Sequence, residues 1–179
     1  MNQNKAEILI LSYPNFSSDD YDKIQTVRNR LDPELAAAFP PHFTHLLPLD
    51  ESWQRTIQNS AEQTSKKFEP ISFTIKTVTI LDDPSTGENF LVLVPSDPSH
   101  MIELHLELYN SMALPAPYGG AWQPHITLGV STDREMLITE AKQLKREMAG
   151  IEGRFDTLEL ISWQADELTP ISSLPLGSK

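Results

Sequence analysis

The sequence contains no cysteine. Disulfides, thiolate nucleophiles and zinc–thiolate sites are therefore excluded, and a cysteine-free chain fits a reducing cytoplasm. No apolar run approaches the roughly 20 residues that a membrane-spanning helix needs. Residues 1–7 are polar, carry the single lysine Lys5 and lack the apolar centre of a signal peptide, so secretion is not expected. Basic residues are scarce: 14 stand against 25 acidic ones, a net charge of −11. No four of them cluster, and the densest places, Lys66-Lys67 and 142–146, read as solvated helix faces. Proteins that track a long phosphate backbone need basic patches to release counterions. Long nucleic acids and anionic membrane surfaces are therefore not expected partners. What charge permits is a small nucleotide or a short RNA end.

Several catalytic signatures are also missing. There is no Gly-x-x-x-x-Gly-Lys loop for phosphates and no Gly-x-Ser-x-Gly elbow for a serine nucleophile. His100 and His105 are five apart, whereas metal ligands on one helical face need a spacing of three or four. Both read as surface or cap residues. No metal or cofactor is expected.

The apolar pattern places strands over 6–13, 42–49, 71–81, 90–94, 125–130 and 155–163, with a last one over 168–176. Helices are expected over 21–31 behind Asp19-Asp20, over 50–68, over 97–112 and from Ser131-Thr132-Asp133 to Ala149. Pro84 and Gly87 mark a hairpin turn between the third and fourth strands, and the tail from Gly177 is expected to fray. About four helices and seven or eight strands in this order argue for an α+β fold rather than a doubly wound parallel sheet. No segment looks like a linker, so 1–179 reads as a single domain.

One local sequence occurs twice. Pro41-His42-Phe43-Thr44 and Pro124-His125-Ile126-Thr127 both read Pro-His-apolar-Thr and stand 83 residues apart, from 42 to 125. Each follows a loop and enters a strand. In a strand, residues i and i+2 share a face, so each unit offers one imidazole and one hydroxyl to a common surface, while Phe43 and Ile126 point to the core. Two such units facing each other supply the parts of phosphodiester chemistry. One neutral imidazole can take a proton while a charged one gives a proton. Two hydroxyls can donate to the non-bridging oxygens as the phosphorus becomes pentacoordinate. The scheme requires no metal.

The duplicated motif at half-chain spacing resembles the two-histidine phosphoesterase superfamily, which includes RNA 2′,3′-cyclic phosphodiesterases and proteins named 2′-5′ RNA ligase-like. The resemblance covers nearly the whole chain through element order, motif spacing and a final hairpin. His125-Ile126-Thr127-Leu128 is a close match. The first unit, His42-Phe43-Thr44-His45-Leu46, departs by placing His45 where an apolar residue usually stands. Strand parity sends His45 to the face opposite His42. The resemblance implies a bilobal, pseudo-two-fold α+β structure of two intertwined lobes. Each lobe would be a mainly antiparallel sheet with flanking helices, and His42, Thr44, His125 and Thr127 would line the cleft between them. It further implies that one histidine activates water against a 2′,3′-cyclic phosphate or 2′-5′ linkage while the other protonates the departing ribose oxygen. The pseudo-symmetry leaves open which does which.

Tyr118, Gly119, Gly120 and Trp122 form an aromatic loop directly before the second motif. Tyr118 and Trp122 are candidates to stack a nucleobase, with core filling the alternative for Trp122. Arg55 and Arg134 follow the motif strands and read as solvated. The leading expectation is a metal-independent phosphodiesterase acting as a monomer. The alternatives are a nucleotide- or phosphate-binding module without turnover, an RNA end ligase, or a structural protein whose two His-Thr pairs lie far apart.

Overall fold

A computed structural model of the chain describes residues 5–83, 86–118, 121–165 and 167–177. The expected turn at Pro84, the Gly119-Gly120 pair and the last two tail residues lie outside them. Within them the chain is α+β, with five α-helices and nine strands. In order these are β1 (Glu7–Ser12), β2 (Asn15–Phe16), α1 (Ser18–Leu31), α2 (Pro33–Ala38), β3 (Phe43–Asp50), α3 (Gln54–Ser65), β4 (Ile71–Asp83), β5 (Glu88–Pro95), α4 (Ser99–Ser111), β6 (Ile126–Ser131), α5 (Arg134–Met148), β7 (Glu152–Phe155), β8 (Thr157–Gln164) and β9 (Glu167–Pro175).

The strands form two antiparallel sheets, ordered β3-β1-β8-β9 and β2-β7-β4-β5-β6. The strands entered from the two His-Thr motifs, β3 and β6, are both edge strands. The sheets exchange helices. α1 follows β1 of the first sheet by way of the short β2 and packs on β6 of the second, while α4 follows β5 of the second yet packs on β3 of the first. One face of each sheet is sealed by helices around a common core that includes Phe43, Leu46, Ile126 and Leu128. The opposite faces carry the hydroxyls. Residues paired across antiparallel strands share a face, which puts Thr44 in a row with Leu11 and Glu159, and Thr127 in a row with Val92 and Thr79.

Local chemistry accounts for the boundaries. Ser17 accepts from the Asp20 amide and starts α1 at 18 rather than 21. Asp32 ends α1 and caps the short helix α2, which restarts at Pro33. Strand β7 was unforeseen, because four residues containing Gly153 carry no readable period. A Cβ at Gly153 would sit 2.5 Å from Phe73 Cζ and 2.8 Å from Phe16 Cε1, so only glycine fits there.

Gly129 marks the tightest contact between the exchanged helix and the second motif strand. A Cβ there would stand 2.8 Å from Leu31 Cβ, and the neighbouring Val130 amide donates to Asp32 Oδ2 at 3.3 Å. Leu31 Cβ is tied to the helix backbone and cannot swing aside. Gly129→Ala should cost about 1–3 kcal/mol through overpacking. In a thermal melt this reads as a drop of roughly 2–4 °C per kcal/mol. An unchanged melting temperature would mean that α1 slides freely over β6.

Among the described residues, no helix is long and apolar enough to cross a membrane.

Candidate active site

Both motif histidines sit one residue before their strands, in the same local geometry. His42 Nδ1 lies 2.8 Å from the Pro40 carbonyl, and His125 Nδ1 lies 2.8 Å from the Gln123 carbonyl. A carbonyl can only accept, so each Nδ1 carries the hydrogen. Each Nε2 is thereby left as the free nitrogen. The proline at 41 or 124 starts the extended segment and needs no ladder donor there. Thr44 and Thr127 follow on the same faces as their histidines and are half-buried.

The two histidines lie within electrostatic reach. Burial pushes His42 down to about 4; Arg28 and the charge of His125 act in the same direction, against the Pro40 hydrogen bond. Burial also lowers His125, opposed by the Gln123 hydrogen bond. Burial thus favours the neutral form of each. A phosphodiester anion placed between them would favour the charged form of each.

The surroundings of the two differ. Around His42 stand Phe39, with ring centroids 5.4 Å apart, and Tyr13 at 6.3 Å, while Trp163 meets Phe39 at 6.4 Å. Burial and the neighbouring Glu159 raise the Tyr13 phenol. Beneath them lies Arg28, only 1% exposed, whose Nη2 donates to the Phe39 carbonyl at 2.7 Å. Beside His125 opens a cavity of about 480 Å³, lined by Leu47, Phe90, Tyr118, Trp122, Asp82 and Asp83 among others. Tyr118 is 74% exposed and left-handed at φ 60°, while Trp122 is 7% exposed and belongs to the core. Trp122 thus fills the core and lines the cavity at once. Arg134 reaches the rim only through its ion pair with Asp82. Arg55 is exposed and lines neither this cavity nor the larger one. That larger cavity, of about 570 Å³ and lined by Ser72, Thr74, His100 and Arg154 among others, contains neither motif.

Two histidines outside the motif are placed differently from one another. His100 is exposed, as expected, but His105 is fully buried, a correction to its reading as a surface residue. Its side of α4 packs against β3, which periodicity alone could not tell. His45 is buried on the face opposite His42, as parity requires, with Nε2 2.8 Å from Ser12 Oγ. Among the described residues, no group of three or more His, Asp or Glu side chains is placed to hold a metal ion.

The buried histidines make the fold sensitive to acid. Burial holds His45 at about 3 and His42 at about 4, whereas an unfolded histidine titrates near 6.5. The unfolded chain therefore binds more protons between those values, and stability must fall as pH drops. Each imidazole that stays neutral contributes a slope of roughly 1.4 kcal/mol per pH unit in that window. Urea midpoints measured from pH 7 to pH 4 should decline accordingly. A flat profile would mean that these rings charge within the native state.

Arg28, Phe39, Tyr13 and Trp163 escaped the sequence reading. Arg28 had a signal: Ile24, Val27, Arg28 and Leu31 form one helical stripe, and a charge within an apolar stripe marks a buried role. The aromatics are brought to His42 only by tertiary folding.

Known proteins share this arrangement of elements. Residues 16–167 match the family model described as the 2′-5′ RNA ligase superfamily. No curated protein matches the chain. Among solved structures, Usb1 of Kluyveromyces marxianus is similar at 13% identity and a TM-score of 0.55, over 97% of this chain and 99% of that one. LigT of E. coli, solved with 3′-AMP, is similar at 13% identity and a TM-score of 0.52, over 98% and 99%. TT0787 of Thermus thermophilus reaches a TM-score of 0.59 at 11% identity, over 97% and 99%. At these identities the likeness is one of fold.

Proposed function

The chain belongs to the 2′-5′ RNA ligase superfamily, a group of two-histidine phosphoesterases, and on that premise we propose that it is a metal-independent phosphodiesterase acting on a 2′,3′-cyclic phosphate or a short 2′-5′-linked nucleotide. The observation that carries this reading is the duplicated histidine geometry. Two imidazoles within electrostatic reach each have Nδ1 tied to a carbonyl two residues back and Nε2 free.

In the proposed reaction the neutral Nε2 of one histidine takes a proton from water as the water oxygen bonds to phosphorus. The phosphorus–ribose oxygen bond breaks, and the charged Nε2–H of the other histidine protonates the departing oxygen. Thr44 and Thr127 donate to the non-bridging oxygens, whose charge grows in the transition state. Tyr118 and Trp122, in the cavity beside His125, take the nucleoside. The charge of −11 favours a substrate with few phosphates. The enzyme would work as a monomer in the cytoplasm.

The test is hydrolysis of the four 2′,3′-cyclic mononucleotides and of 2′-5′ adenylyl-adenosine in EDTA. Turnover that survives EDTA is expected, and the product isomer tells which ribose oxygen leaves. A folded protein that binds these nucleotides without cleaving them would be a binding module instead, and one that joins RNA ends without hydrolysis would be a ligase.

A further inference from the structure

His105 has no part in the chemistry above, yet it touches both halves of the site. It lies in the middle of α4, fully buried. Its Nδ1 is 2.8 Å from the carbonyl of His45, the residue after Thr44 on β3. That acceptor makes Nδ1 the protonated nitrogen. Its ring lies flat on the Trp122 indole, with centroids 4.1 Å apart and planes 4° from parallel. Nε2 makes no hydrogen bond within the chain as it stands, but protonation would give it an N–H toward the Pro117 carbonyl.

Tyr109, one turn on, acts beside it. Its hydroxyl accepts from the Leu47 amide at 3.1 Å, and its ring is 4.9 Å from that of His105. His45 and Leu47 are two apart on an edge strand, so their backbone groups point to the open side. Two strand residues span about 6.6 Å and four helical residues about 6 Å, so the His105–Tyr109 spacing on α4 matches the strand. α4 thereby supplies the partners that a further strand would otherwise give β3.

The stacked side of His105 points the other way. Pro117 and Trp122 bracket the segment that carries Tyr118 and leads through Gln123 to His125. Tyr118, Trp122, Gln123 and His125 all line the 480 Å³ cavity, as does Leu47 of β3. We propose that His105 is a positioning residue that pins the nucleoside-binding wall to the strand bearing Thr44, and so sets affinity for the nucleoside rather than for the phosphate. The inference rests on the phosphodiesterase reading above for the identity of the ligand.

Calorimetry with 3′-AMP and with inorganic phosphate tests it, on the wild type, His105→Phe and His105→Asn. His105→Phe keeps a ring on Trp122 and loses the donor to His45. His105→Asn keeps a donor and loses the stack. Each should weaken 3′-AMP about tenfold while phosphate changes less than about twofold, because Tyr118 and Trp122 shift while His125 stays held at the entry of β6 and His42 at the entry of β3. In steady-state assays KM for 2′,3′-cyclic AMP should rise with kcat nearly unchanged. If both variants fail to fold, Tyr109→Phe, which removes only the hydroxyl that accepts from the Leu47 amide and leaves the cavity lining intact, carries the same comparison. Equal weakening of both ligands, or of neither, would overturn the proposal. A wild type that binds 3′-AMP but cleaves nothing would sink the enzymatic reading and leave this binding comparison standing. A wild type that binds no nucleotide would sink both.

Discussion

His42→Ala and His125→Ala should each lower kcat for a 2′,3′-cyclic nucleotide by about a thousandfold, and the double variant should fall little further. Each ring supplies one end of a single proton relay, so removing either end disables the whole, and the two losses do not add. The hydrogen bonds from Nδ1 to Pro40 and Gln123 fix both Nε2 atoms in advance, so no other side chain can take their place without rebuilding a loop. The pH dependence has a definite sign. One histidine must be neutral and the other charged, and burial holds both below the usual imidazole range. The profile of kcat/KM reports the free enzyme, so it should rise as pH falls below 7 and turn over as His42 titrates at about 4. Steady-state kinetics from pH 4 to 9, with circular dichroism to confirm folding, reads both effects. Singles that multiply in the double variant, or an optimum above pH 8, would contradict a shared relay.

Thr44→Val and Thr127→Val should each cost about a hundredfold or more in kcat, with a much smaller change in KM. Valine keeps the shape and the β-branch that suits the strand, so the fold should tolerate it and the missing hydroxyl alone is read. The kcat effect is expected to dominate because the non-bridging oxygens gain charge only on the way to the pentacoordinate state. The cross-strand rows hold the two hydroxyls from opposite sheets, Thr44 beside Leu11 and Thr127 beside Val92, so the two losses should be alike in size. A rise in KM with kcat unchanged would make the threonines ground-state binders only.

What could be read from the sequence is what local pattern encodes. Pro-His-apolar-Thr is a four-residue signal, and strand parity correctly placed Phe43 and His45 in the core. The seven longer strands and the main helices followed from period and caps. The rest depended on contacts between distant segments. The burial of His105 follows from the packing of α4 on β3, whose sheet α4 does not follow in sequence. Trp122 was open between core filling and base stacking; the structure buries it flat on His105, at the wall of the cavity. The need for glycine at 153 comes from Phe73 and Phe16, 80 or more residues away in the chain. Arg28 was legible in principle, as a cation in an apolar stripe, but what it holds, the Phe39 carbonyl before Pro40-Pro41-His42, was not.

Strand β1 is hydrogen-bonded on one side to β3 and on the other to β8, with Leu11 opposite Glu159. Its second neighbour is therefore synthesised about 150 residues after it. Closing so long a loop carries an entropy cost that only the finished sheet repays. During translation the first half, β1 through α3, emerges with one flank of β1 bare and Leu9 and Leu11 uncovered, since Ile161 and Trp163 complete that cluster. Despite the repeat of the motif, the first half alone would leave this flank and these side chains bare. Pairing of β1 with β8 must wait until residues 157–164 have been made, and so distant a contact favours slow folding.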